Sequence, residues 1–245
     1  MEVALKTKIL LLILIAALLT ACALPDSLSS LLSRFTPQVE LDAESNSLLN
    51  LVESGKVRVV SIRGASGLNV LTGRSIELEV FNTTEQDLEV EIPCGLVFIP
   101  DTEGSSRMMV VQRSVISLTK GNMKSIRLYV LSIDALLKLP SADKTYRVEA
   151  LEAGKSLDFA NCLCQADLPA ETDTNELINL QLAAWMVSSD QLISEIPENL
   201  NDMVAEITGL PINFPGMDKA IQDMAQTVIP GANAWLDRCE IKVGK

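Results

Sequence analysis

The chain contains no histidine. Without an imidazole there is no Ser-His or Cys-His nucleophile pair, no histidine general base and no zinc site of the usual histidine-containing kinds. Aromatic residues are scarce, with two Trp, two Tyr and five Phe, so a sugar cleft walled by ring platforms is disfavoured even though carboxylates for glycosidase chemistry abound. Neither common glycine-rich phosphate loop occurs, which argues against nucleotide use. The sequence therefore assigns no catalytic residue, no metal ligand and no cofactor. Asp173-Thr174-Asn175-Glu176 clusters oxygen atoms, but it lacks the EF-hand glycine and closing glutamate and reads as an acidic helix start.

Basic residues are also in deficit, 20 against 32 acids, for a net charge of −12. The imbalance is uneven. Residues 22–55 hold one base and five acids, residues 56–150 twelve and eleven, and residues 151–245 five and fifteen. So acidic a final third argues against nucleic acid and against anionic headgroups as partners. It also keeps an exported chain soluble.

What is present at the amino terminus is a leader. Lys6 and Lys8 precede an unbroken apolar run from Ile9 to Leu19, too short to span a bilayer permanently. Small residues close it, which completes the pattern of a secretory signal. Leu19-Thr20-Ala21-Cys22 resembles the lipobox of bacterial lipoproteins. That resemblance implies cleavage after residue 21, lipidation of the Cys22 sulfur, and anchoring on the extracytoplasmic side of a bacterial membrane. Several acyl chains give stable anchoring where one is marginal. Residues 22–55, with Pro25, Pro37 and scattered serines, read as a tether.

From Lys56 the pattern has period two. Val57, Val59 and Ile62 alternate with Arg58 and Ser61; Ile76, Leu78 and Val80 with Glu77 and Glu79; Leu88, Val90 and Ile92 with Glu89 and Glu91. Ile126, Leu128 and Val130 alternate with Arg127 and Tyr129. These are half-buried antiparallel strands. Shorter apolar runs, Leu96–Ile99, Met108–Val111 and Val115–Leu118, lie between turn signals such as Pro93-Cys94-Gly95. Tyr146–Leu151 adds one more strand. Many short strands without intervening helices resemble an immunoglobulin-like β-sandwich, which implies a sandwich domain over residues 56–151.

The last part, residues 152–245, reads as a cysteine-containing connector followed by an acidic helical subdomain. Leu157 to Pro169 shows little periodicity. Leu177, Ile178, Leu180 and Ala184 mark an amphipathic helix from Thr174 to about Ser189. A second is expected from Pro197 to Gly209, a third from Met217 to Val228 stopped by Pro230, and a fourth from Ala232 to Cys239. The whole is expected to be α+β.

Besides Cys22 there are Cys94, Cys162, Cys164 and Cys239, an even number in an exported chain, as two disulfides require. Cys162 and Cys164 are too close to bond each other comfortably. One is expected to reach Cys94 and the other Cys239, stapling helices to sheet. A four-cysteine metal site fits the spacing poorly.

Leu180-Gln181-Leu182-Ala183-Ala184-Trp185 is similar to the glutamine motif of bacterial surface thioester domains, with Leu180 where that family carries Thr. The resemblance implies that Gln181 joins an upstream cysteine in a latent electrophile. Read without it, Leu182 and Trp185 are helix core and Gln181 is a surface amide. The sequence thus points to a non-enzymatic binding or structural module of the cell envelope, tethered to a membrane by lipid, with its protein or cell-surface ligand unspecified. A thioester adhesin and a carboxylate-based hydrolase are the alternatives.

Overall fold

The structure, a computed structural model, describes residues 46–65, 73–135, 137–138, 140–166, 168, 174–192 and 217–244. The leader, Cys22, most of the expected tether and the helix expected from Pro197 to Gly209 lie outside the described residues. In chain order the described elements are α1 (Leu48–Glu53), β1 (Val57–Gly64), β2 (Ile76–Asn82), β3 (Leu88–Ile92), β4 (Leu96–Pro100), β5 (Met108–Val110), β6 (Ser114–Leu118), β7 (Met123–Leu128), β8 (Val130–Ser132), β9 (Tyr146–Leu151), α2 (Gly154–Gln165), α3 (Thr174–Ser189) and α4 (Met217–Arg238). Strand pairs are antiparallel throughout, in sheets of order β1-β2-β7, β3-β6 and β8-β5-β4-β9. The fold is α+β.

It begins earlier than the expected tether boundary. Asn46 already belongs to the compact unit, and Ser47 caps α1 by accepting a hydrogen bond from the Asn50 N–H at 3.4 Å. Leu48 and Leu51 of α1 are buried. Two leucines three apart make too short a stripe to stand out against a serine- and proline-rich background.

In β1, Val57 and Ile62 both point inward although an odd interval separates them. A regular strand forbids this, because side chains alternate. The ladder with β2 slips between Val59 and Ser61. That bulge turns Val60 outward, 42% exposed, and restores the inward phase at Ile62.

A second departure is at Tyr129. The run Ile126-Leu128-Val130 reads as one strand, but the chain changes sheets within it. Leu128 of β7 pairs with Ile76, whereas Val130 of β8 pairs with Val110.

The four-stranded sheet has no solvent face over its central strands. Leu96, Phe98, Met108, Val110 and Val130 share a core with Leu48, Val57, Leu78, Ile92 and Ile116 from α1 and the other two sheets. Their neighbours Val97, Met109, Val111 and Leu131 enter a second core with Phe159, Leu163, Trp185, Val228 and Leu236 of the helices. Burial on both faces explains why Leu96–Ile99 and Met108–Val111 are continuous apolar runs rather than alternating ones.

Helix α2 occupies the stretch expected to be an aperiodic connector. Its buried positions, Ser156, Phe159, Ala160 and Leu163, do form a helical stripe. The signal is short, one member is a serine, and the N-cap Ala153 offers no side-chain bond. Helix α4 replaces two expected helices, because Pro230 lies inside it. Proline removes the N–H that would meet the Gln226 carbonyl. Both residues are exposed, so water can satisfy that carbonyl.

Tyr146 is buried in the sandwiched core, and its hydroxyl has no hydrogen-bond partner. Burial pushes its ionisation upward from the ordinary 10.0. Below that value the phenol is neutral in both folded and unfolded chains. Above it the unfolded chain releases the proton while the folded one retains it, so stability falls as pH rises beyond about 10. Tyr146→Phe is expected to melt no lower than the parent at neutral pH and to lose less stability at alkaline pH. A parallel series of thermal melts across pH 8–12 checks this; identical alkaline slopes for both proteins would contradict it.

Candidate functional site

The four cysteines pair as Cys94–Cys164 and Cys162–Cys239. Cys94 precedes β4, Cys162 and Cys164 lie on α2, and Cys239 follows α4, so α2 is fixed both to the sheet and to the last helix. Gly95 lies beside the first attachment. It has φ +81°, and a Cβ there would stand 2.4 Å from Leu157 Cδ1 of α2. Lys155, on the first turn of α2, adds a 2.6 Å hydrogen bond to Asp190 just beyond α3. That bond holds the Asp190 carboxyl below the usual carboxylate range.

Gln181 is not a surface amide; it is 5% exposed. Its Nε2 donates to the Ser132 carbonyl at 2.7 Å, and its Oε1 accepts from the Ser132 N–H at 3.0 Å. Trp185, one turn along α3, donates Nε1–H to Ser132 Oγ at 3.1 Å. Ser132 lies in β8, the outer strand of its sheet. The glutamine carboxamide therefore presents to that strand the donor and acceptor that a neighbouring strand would offer. The geometry brings Gln181 to Ser132 rather than to a cysteine, and each of Cys94, Cys162, Cys164 and Cys239 is bonded to another cysteine. The thioester expectation thus lacks its sulfur partner among the described residues.

Carboxylates converge elsewhere on Arg107. Its Nη2 bonds Asp134 Oδ1 at 2.8 Å, its backbone N–H bonds Asp134 Oδ2 at 2.8 Å, and its Nη1 lies 4.0 Å from Glu152. The Asp134 hydrogen bond raises the Arg107 guanidinium further above its ordinary value. The Arg107–Asp134 bonds hold the residues after β8 against the start of β5.

The remaining polar constellation sits between α3 and α4. Glu176, Asn179, Gly231, Ala234, Trp235 and Arg238 line an open cleft of about 250 Å³. Glu176 Oε1 accepts from Trp235 Nε1 at 2.7 Å, and Oε2 accepts from Asn179 Nδ2 at 3.0 Å. Asn179 Oδ1 is buried and has no hydrogen-bond partner. Arg238 lies over the Trp235 ring, 4.6 Å from its centroid, and makes no ion pair among the described residues. In sequence, Glu176 stands only in an acidic helix start, and Asn179, Trp235 and Arg238 carry no motif. Trp235 and Arg238, three apart near the C-terminal end of a helix, were the available signal. Comparison of the chain with known family models, curated proteins and solved structures finds no match.

Proposed function

We propose that the chain is an extracytoplasmic bacterial lipoprotein, anchored through Cys22 and carrying a non-enzymatic binding or structural module of the cell envelope. The observation that carries this reading is cysteine arithmetic. Of five cysteines, four pair with one another, and the fifth is Cys22, where Leu19-Thr20-Ala21-Cys22 resembles a lipobox. Two disulfides fit an oxidising compartment outside the cytoplasm, which is where a secretory leader delivers a chain. Among the described residues no helix is long and apolar enough to cross a membrane, so in this reading acyl chains supply the attachment.

For the strand-rich part we infer an immunoglobulin-like sandwich. One core shared by strands of all three sheets supports that architecture.

Cys22→Ser is expected to abolish palmitate labelling and to move the protein from the detergent to the aqueous phase of a detergent split. Continued labelling of the variant, or unchanged partitioning, would overturn the anchor.

A further inference from the structure

We propose that two copies of this chain pair about a two-fold axis through the outer face of the β1-β2-β7 sheet, Arg58 of each lying against Glu79 of the other. The proposal goes beyond the envelope-module reading and does not depend on lipid at Cys22.

The register sets the outward side chains in rows across the sheet. In one row Glu77 stands between Arg63 and Arg127, and its charge is met within the chain, 3.7 Å from Arg63 and 3.9 Å from Arg127. The next row is centred on Glu79. Its Oε2 accepts from Ser61 Oγ at 3.2 Å, and among the described residues it meets no cation. The third row begins with Arg58, which lies over the Phe81 ring, 5.2 Å from its centroid. Arg58 likewise makes no ion pair among the described residues. Diagonal neighbours on a ladder are within reach of long side chains, yet Arg58 is held by the phenyl ring and Glu79 by the serine. One cation and one anion thus remain on the same face.

That remainder is self-complementary. A two-fold axis bisecting the line from Arg58 to Glu79 sets each residue opposite the other kind in the second copy. One geometry then makes two identical contacts, as an isologous interface requires. A foreign protein would need a matching pair of its own, whereas a second copy already carries it. The wider charge agrees. The chain has a net charge of −12, so copies meeting through most of their surfaces repel. This face holds three arginines against two glutamates and is free of that repulsion.

Apolar groups lie beside the charges. Val60 and Met123, 42% and 55% exposed, are two of the five large exposed hydrophobics among the described residues, and both belong to this sheet. Arginine, methionine and phenylalanine are types that interfaces concentrate. The bulge that turns Val60 outward also spoils β1 as an edge for strand addition, so the sheet offers its face rather than its rim. Three strands of about seven residues make a face of roughly 14 by 24 Å. That puts the contact at the low end of interface size and the dimer in the micromolar range.

The test makes the full chain in two epitope-tagged forms in one bacterial cell, with the photo-crosslinker benzoylphenylalanine replacing Val60. Illumination is expected to join the two tags in an adduct of twice the chain mass. Arg58→Glu in both copies, or Glu79→Arg in both, sets like charges against each other and is expected to lower the adduct at least ~10-fold. Arg58→Glu in one copy with Glu79→Arg in the other restores two opposite-charge pairs. The adduct is then expected to return to within about twofold of the parent, a recovery that misfolded chains would not give. No cross-tag adduct in the parent, an adduct that survives either change, or no recovery in the mixed pair would each overturn the proposal. An adduct with a different protein in place of the cross-tag one would mean a foreign occupant and overturn it too. Palmitate labelling at Cys22 is read separately, so the two readings fail separately.

Discussion

Replacing Cys162 and Cys239 together by alanine is expected to lower the free energy of unfolding by about 4 kcal/mol, or roughly 8–16 °C in melting temperature. The bond closes a loop with a sequence separation of 77, and in the chain-entropy account cross-links spanning longer loops restrict the unfolded chain more. Helix α4 depends on it in a second way. The final third is strongly acidic, and α4 carries Pro230 within its length. Its inward residues Val228, Ala232, Trp235 and Leu236 share a core with α3, and Cys239 fastens the end of that contact to α2. In hydrogen exchange, amides of α4 are therefore expected to lose protection in the double variant before those of β2, β4 and β5. A change below ~1 kcal/mol, or uniform loss of protection across strands and helices, would show that packing alone holds the helical layer. Titration of the unreduced parent should find no reactive thiol at these four positions.

The second large effect is expected at Gln181. Gln181→Leu keeps the volume and apolar surroundings but strips the Ser132 N–H and carbonyl of their partners at 3.0 and 2.7 Å. A buried backbone group left unpaired costs about 1–3 kcal/mol, so two cost roughly 2–6 kcal/mol. Gln181→Glu should be nearly as damaging, because a carboxylate cannot donate to the Ser132 carbonyl. Chemical denaturation of both variants checks this. A loss under ~1 kcal/mol in Gln181→Leu would mean that Ser132 is satisfied by other groups. The same experiment separates the carboxamide's structural role from electrophile chemistry, since an amide whose removal costs only methylamine reactivity and no stability would restore the thioester reading.

How much of this was legible in the sequence depends on how many residues carried each signal. The strands with alternating glutamates, Ile76–Asn82 and Leu88–Ile92, were plain, because one face meets water and the other the core. The cysteine pattern was legible too: one of Cys162 and Cys164 reaches Cys94 and the other Cys239. Helix α2 was hidden because Ser156 stands in its buried stripe and no capping residue announces its start. The break between β7 and β8 was hidden because Leu128 and Val130 keep perfect alternation while belonging to different sheets. Pro230 misled in the opposite sense, since an exposed proline in a helix held by packing and a disulfide need not end it. The α3–α4 cleft showed in the sequence only as the Trp235–Arg238 spacing on one helix. Its members lie in two segments more than fifty residues apart, and Asn179 becomes unusual only once its Oδ1 is seen to be buried and unmet.

The doubly covered sheet has a consequence for presentation. Chain entry at Asn46 leads into α1, which packs against β1 and β3, on one side of the four-stranded sheet. The α3–α4 cleft belongs to the layer on its other side. The sheet thus stands between the point of chain entry and the α3–α4 layer.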